Sequence, residues 1–389
     1  MMSVWKLKRN PLVIISQLRK ISTERNSPCN AMLKSKTPIT NVIRQVRTSC
    51  NYHQEIKDDF RLMNFVEKTV NSYGYLEMCN LDLDVSIKPT CPDKYPDMNK
   101  AICKFYSKIE DTPPQLIHED EKLSIKGNKV YQSKESHCSI EIPMKYHVDS
   151  SNILGQNSVK VESLESPSIR ITTGTGDITS KSIKGDFISL LSQTGNVNCL
   201  GLSQGRITIH SGSGDIHGYK FQGPTLKVAT NSGNITAESV YSDESQFVSA
   251  TGNITLKNLH RKCSVKITST GNLNASGMDG SLDAQLGQGQ HQIQISQLQE
   301  DSCVRIVNGS LTLKVPEDCA FGIRVTARSI AITPEKMRIG HLITTDDSCF
   351  FEYRTHDDSH SIIEIDGKNS NVVIENEDWF ASLGLEWQK

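Results

Sequence analysis

Asp177 and Asp215 are the acidic side chains whose setting most invites a chemical reading. Each follows a glycine and precedes an isoleucine, in Gly176-Asp177-Ile178 and Gly214-Asp215-Ile216. Aspartates at stacked glycine corners hold calcium in β-rolls built on a nonapeptide period. Here the equivalent positions are otherwise neutral: Asn196, Asn234, Asn253 and Asn272. A hard cation needs several oxygen ligands gathered at one point, and this row supplies no run of charge. The corner residues therefore read as structural, with no calcium ladder.

Polysaccharide cleavage is the second chemistry to weigh, because it requires two carboxylates facing one bond. Between residues 166 and 309 Asp177 and Asp215 share the corner position of the pattern but stand two units apart, and that stretch contains no Trp to stack on a sugar. His356-Asp357-Asp358-Ser359-His360 and His137-Cys138 carry metal-ligand types, but neither completes a tetrahedral set. Gly367-Lys368 lacks the preceding glycine of a phosphate loop. Asn-x-Ser/Thr triplets such as Asn234-Ile235-Thr236 read as accidents of a repeat rich in Asn and Thr. No catalytic residue, metal or cofactor is expected.

What positions these residues is a repeat. Gly176-Asp177-Ile178, Gly195-Asn196-Val197, Gly214-Asp215-Ile216, Gly233-Asn234-Ile235, Gly252-Asn253-Ile254 and Gly271-Asn272-Leu273 recur every 19 residues without a slip. Six residues past each Asp or Asn stand Ile183, Leu202, Phe221, Val240, Leu259 and Met278, a column expected to be buried. Ser242, just beyond, is expected in an exposed turn. Nineteen residues are too few for a helix plus two strands, and they suit short strands stacked at about 4.8 Å per coil. The expected fold is all-β, a parallel β-solenoid (β-helix) of 19-residue coils with extra β segments capping both ends. The glycine is expected to supply φ > 0 at a tight corner, and the Asp or Asn to tolerate the left-handed region and bond its own backbone. The coil at His291 carries Ile293 and Ile295 displaced by one, and the register returns at Ser310.

This reading divides the chain into a leader at 1–50, an N-terminal β-rich cap region at 51–157, about eight coils at 158–309 and a C-terminal β cap at 310–389. Within the N-terminal region, Lys126 to Lys129 signals a hairpin, and the Pro-rich segment Thr90 to Pro114 reads as loop. The leader holds ten basic residues against one acid, Glu24, and ten Ser or Thr. That is the composition of a transit peptide, so a mitochondrial location is expected, with the cytoplasm as the alternative. The 11 cysteines show no CxxC and are expected as mostly reduced thiols.

The segments Thr175-Gly176-Asp177-Ile178 and Ser213-Gly214-Asp215-Ile216, with the exit Leu311 to Pro316 followed by Phe321-Gly322-Ile323, resemble an adhesin-like domain-of-unknown-function family. That family is widespread in bacteria and written as recurring T/S-G-D/N-I units. The resemblance covers roughly residues 140–330. It implies a β-helix and no known catalytic residues.

The formal charge of −1, from 43 basic and 44 acidic residues, gives no drive toward nucleic acid. No apolar run reaches the 18 residues of a membrane-spanning helix. The expected function is a non-catalytic adhesin-like scaffold that binds a protein or glycan, of undetermined oligomeric state. The alternatives are a carbohydrate-active β-helix enzyme and a cell-surface adhesin-like protein. A candidate partner strip lies two residues past each corner: Thr179, Asn198, His217, Thr236, Thr255 and Asn274. These side chains are polar and evenly spaced, and lose little entropy on binding. The bland reading is an ordinary solvated strand face.

Overall fold

The computed structural model describes residues 60–127, 135–153, 156–335, 337, 340–345, 347–354 and 361–376. The leader at 1–50 and the His356–His360 segment lie outside these residues. Among the described residues there are 22 β-strands and no α-helix, as the all-β reading expects.

The N-terminal part contributes β1 (Arg61–Thr69), β2 (Tyr75–Leu81), β3 (Asp84–Pro89), β4 (Lys100–Ser107), β5 (Gln115–Glu119), β6 (Lys122–Lys126), β7 (Ser136–Ile142), β8 (His147–Ile153) and β9 (Val159–Glu162). The middle holds β10 (Ser168–Thr173), β11 (Ile178–Ser192), β12 (Val197–Ser211), β13 (Ile216–Thr230), β14 (Ile235–Ala237), β15 (Val240–Ser249), β16 (Ile254–Thr270), β17 (Leu273–Leu298) and β18 (Ser302–Val315). The chain then forms β19 (Gly322–Ile332), β20 (His341–Thr344), β21 (Cys349–Tyr353) and β22 (Ile362–Asn376).

From β10 to β18 the strands stack in parallel. Ile178 pairs with Val197, Val197 with Ile216, Ile216 with Ile235, Ile235 with Ile254 and Ile254 with Leu273. All six are buried. A second column runs Leu190, Ile209, Val228, Phe247, Val265 and Ala284, also buried. Alternation places every second side chain inward, and each buried Ile or Leu contributes roughly 1.5–3 kcal/mol.

Two positions depart from the sequence reading. Leu202 is only half-buried, because a register shift in β12 puts Ser203 opposite both Ile183 and Phe221. Ser242 is buried instead of exposed, since it lies on the same inward side of β15 as Val240.

The corner glycines are also explained differently. Of the six, only Gly271 has φ in the positive range, at 155°. The others are glycine because a Cβ would strike the carbonyl of the coil below: that of Asn157 at Gly176, of Gly195 at Gly214, and of Gly214 at Gly233. Left-handed backbone occurs at the next corner instead, at Ser182 (φ 52°), Gly201 (φ 82°), Asn258 (φ 49°) and Gly277 (φ 65°).

The coil at His291 is distorted through one short and one long step. Asn272 Oδ1 accepts from the N–H of Gln290, 18 residues on, and Leu282 donates to Ser302 Oγ, 20 residues on. The two offsets cancel, and His291 pairs with Leu311.

Both ends interleave. β2 lies between β6 and β8, and β3 between β7 and β9, all parallel. β22 is inserted between β18 and β19. Parallel pairing therefore continues past both limits of the 158–309 segment. Antiparallel strands then cover the ends: β4 on β7, β1 on β4 and β5 on β6 at one, β21 on β19 and β20 on β21 at the other. Such covers protect strand edges from pairing with other chains. β4 corrects the loop expected over Thr90–Pro114: Ala101, Cys103 and Phe105 alternate inward there. The described hairpin turns at Asp120 and Glu121, between β5 and β6, and Asn128 and Lys129 of the expected one lie outside the described residues.

Candidate functional site

The side chains at the Gly-Asp/Asn corner act between coils. Asp177 Oδ1 accepts from the N–H of Asn196 at 2.7 Å, Asn196 Oδ1 from Asp215 at 2.9 Å, and Asp215 Oδ1 from Asn234 at 2.7 Å. Asn234 Oδ1 continues to Asn253 at 3.0 Å and Asn253 Oδ1 to Asn272 at 2.9 Å. The expected bond to each residue's own backbone is replaced by this axial chain, because the neighbouring coil's amide lies directly above. The column reaches into distant sequence as well, where Asp84 Oδ1 accepts from the N–H of Ser158 at 2.7 Å.

A buried hydroxyl braces four of the six corners from inside. Ser192, Ser211, Thr230 and Ser249 accept from the N–H of Gly195, Gly214, Gly233 and Gly252 at 2.8–3.1 Å. The sequence carries this signal as Ser/Thr three residues before each glycine.

The strip residues come together in one ladder. Thr179 pairs with Asn198, Asn198 with His217, His217 with Thr236, Thr236 with Thr255 and Thr255 with Asn274. The first five are half-buried and Asn274 is exposed. Four of them, Asn198, His217, Thr236 and Thr255, line a shallow groove with the corner residues Asn196, Asp215, Asn234 and Asn253, and Thr179 and Asn274 lie beyond it. Its lining is amide, hydroxyl, imidazole and one carboxylate. That set exchanges hydrogen bonds with polar groups but supplies no nucleophile–base pair.

A second depression, of about 490 Å³, escaped the sequence reading because its residues come from several coils and from β22. Glu244, Asp283, Asp301 and Glu364 border it together with Lys227 and Lys262. All four carboxylates are exposed. Asp301 accepts from the N–H of Ile362 at 2.9 Å, Asp283 faces Arg305 at 3.9 Å, and Glu364 faces Arg324 at 4.0 Å. A general acid of glycoside cleavage needs a carboxyl kept protonated by burial, and this rim offers none.

Two of the outward aromatic rings are engaged face-on by neighbouring coils. Tyr241 stacks on His260 with centroids 4.5 Å apart, and Lys220 lies 5.3 Å from the other face of Tyr241. Arg206 covers Phe187 at 5.3 Å. His137 and Cys138 gain no further ligand, and among the described residues no group of three His, Cys, Asp or Glu side chains is placed to hold a metal. No described helix is long and apolar enough to cross a membrane.

Comparison with known proteins places this geometry in context. No curated protein matches the chain. Among solved structures, a candidate adhesin from Parabacteroides merdae is 10% identical, with a TM-score of 0.35, over 83% of this chain and 98% of that one. A candidate adhesin from Bacteroides fragilis is 13% identical, with a TM-score of 0.32, over 81% and 96%. A candidate cell adhesion protein from Clostridium sporogenes is 12% identical, with a TM-score of 0.17, over 81% and 99%. The profile of the Toastrack DUF4097 family matches residues 115–240 and again 203–336. The two matches overlap across the Gly-Asp/Asn corners and together span more than half of the sequence. The chain belongs to the Toastrack DUF4097 family.

Proposed function

We propose that this protein is a non-catalytic, adhesin-like β-solenoid scaffold. In this reading it presents the strip from Thr179 to Asn274 to a protein or glycan partner inside mitochondria. The observation that carries the binding reading is the continuity of the strip: six polar side chains in unbroken register beside a corner column of amides and carboxylates. A scaffold held by axial hydrogen bonds loses little conformational freedom when it binds. The mitochondrial part rests on the acid-poor, basic composition of residues 1–50.

Proximity labelling by the full chain, compared with its Thr236→Arg variant, tests the strip. Loss of a defined set of neighbours, with an unchanged melting temperature and no loss for Lys181→Glu, is the expected result. An identical set for all three proteins overturns it. A fluorescent protein fused after residue 60 tests the location, and a diffuse cytosolic signal with an unprocessed N-terminus overturns that part.

A further inference from the structure

We propose that Cys103 and Cys138 form a reversible disulfide that staples the covering strand β4 to the solenoid strand β7. The two Sγ atoms lie 3.4 Å apart in a thiol–thiol hydrogen bond. Both side chains are buried, at 5% and 0% exposure, on the same inward side of the antiparallel β4–β7 pair. Cys103 lies opposite Ile140 and Cys138 opposite Phe105, so the cysteines are diagonal neighbours. Closing the bond requires the sulfurs to approach by a little over an ångström, to the roughly 2.05 Å of a disulfide. Among the described residues no other two thiols come within hydrogen-bonding distance. Cys199, Cys263 and Cys319 are buried singly.

The pair is polarised for exchange. The hydrogen bond to Cys138 holds the Cys103 thiol below its usual value, whereas Cys138 is pushed well above, first by that same contact and then by burial. Cys103, the less buried of the two and the one on the covering strand, is the thiol that attacks as its thiolate. With a low-molecular-weight disulfide such as glutathione disulfide, Cys103 Sγ attacks one sulfur and releases one glutathione thiolate. Cys138 then gives up its proton, attacks Cys103 Sγ in the mixed disulfide and releases the second glutathione. In balance, two protein thiols and one glutathione disulfide become one protein disulfide and two glutathione thiols.

Access comes through the end of the stack. Among the described residues, β1 is the strand that pairs with the outer side of β4, and its side chains are mostly exposed, including Leu62, Met63 and Phe65. Terminal pairs of this kind open before the core does. In the reduced state β4 and β1 can lift away from β7. In the oxidised state a loop of 35 residues is closed and the edge of β7 stays covered.

The test uses the full chain, equilibrated with glutathione from fully reduced to fully oxidised, quenched with a thiol-alkylating reagent and digested for mass spectrometry. The expected result is one cross-linked peptide joining Cys103 to Cys138, lighter by two hydrogens than the free pair. It should appear on oxidation and vanish on reduction. The oxidised protein should melt higher by about 5 °C or more, and Cys138→Ala should abolish the difference while Cys199→Ala preserves it. Alkylation of both thiols under full oxidation, a glutathione adduct that never resolves, or linkage of either cysteine to a different partner would each overturn the proposal. The wild-type peptide map decides the question even if a variant fails to fold.

Discussion

The backbone N–H of Asn234 donates to Oδ1 of Asp215 at 2.7 Å across the boundary between two coils, and the Asn234 side-chain amide donates to the same oxygen at 3.2 Å. Along this corner the first rungs alternate Asp177, Asn196, Asp215, Asn234, so no carboxylate stacks directly on another. At a spacing of about 4.8 Å, adjacent like charges repel. Asn234→Asp is therefore expected to cost about 0.5–1 kcal/mol at neutral pH and low salt, less at high salt. Asn253→Asp, whose neighbours Asn234 and Asn272 are neutral, should cost close to nothing. Urea unfolding of both variants at two salt concentrations checks this. Equal losses would show that the alternation has no electrostatic role.

The corner glycines are required by closeness and the second-corner residues by backbone angle, and mutation separates the two. Gly233→Ala drives a methyl into the Gly214 carbonyl, a rigid backbone atom. A loss of about 2–4 kcal/mol is expected. Gly201→Asn keeps a left-handed backbone that Asn tolerates, and meets only the Ser182 hydroxyl. Its cost should stay below about 1 kcal/mol. Denaturant midpoints for the two proteins measure the contrast, and a larger loss at Gly201 would reverse the assignment.

Val240 and Ser242 both point into the core of β15, but only one belongs there chemically. Val240 is fully buried, and Val240→Asp should cost several kcal/mol. Ser242 is 1% exposed and its Oγ has no hydrogen-bond partner. Ser242→Ala is expected to be neutral or to raise stability by about 1 kcal/mol, because it removes an unsatisfied hydroxyl. Ser242→Asp should destabilise nearly as much as Val240→Asp. Thermal melts of the three variants decide it, and a drop of several degrees for Ser242→Ala would mean the hydroxyl is satisfied in solution.

These cases mark how far the sequence could be read. A coil pairing with the next at constant spacing writes its contacts as a period, so Ile178, Val197 and Ile216 announce their own column. The burial of Ser242 was hidden because serine carries no apolar signal. The insertion of β3 beside β9, and of β22 between β18 and β19, was hidden for a different reason. Asp84 bonds Ser158 and Asp301 bonds Ile362 across 74 and 61 residues, separations that share no period with the coils. β4 was obscured by the prolines around it. The strip could be listed from the repeat, but the groove beside it depends on the corner side chains turning along the axis.

His291 occupies the column that Leu273 and Leu311 fill on either side, and burial pushes its imidazole down to about 4. Its Nδ1 accepts from the N–H of Leu273 at 3.2 Å, which fixes the neutral ring with the proton on Nε2. A second proton would have to go onto Nδ1, which the Leu273 N–H already occupies, and would place a charged ring in a buried site. In the unfolded chain the ring titrates near its ordinary value of about 6.5. Between that value and about 4 the unfolded state binds a proton that the folded state does not, so stability must rise with pH across this window. The contribution is fully present above pH 6.5 and is lost as pH falls toward 4, by on the order of 2–3 kcal/mol. His291→Gln can still accept from Leu273 through its amide oxygen but cannot titrate. Urea unfolding at pH 7.0, 5.5 and 4.5 should show the wild type losing stability faster than the variant by that amount. Parallel pH profiles for the two proteins would mean that His291 takes its proton inside the folded solenoid.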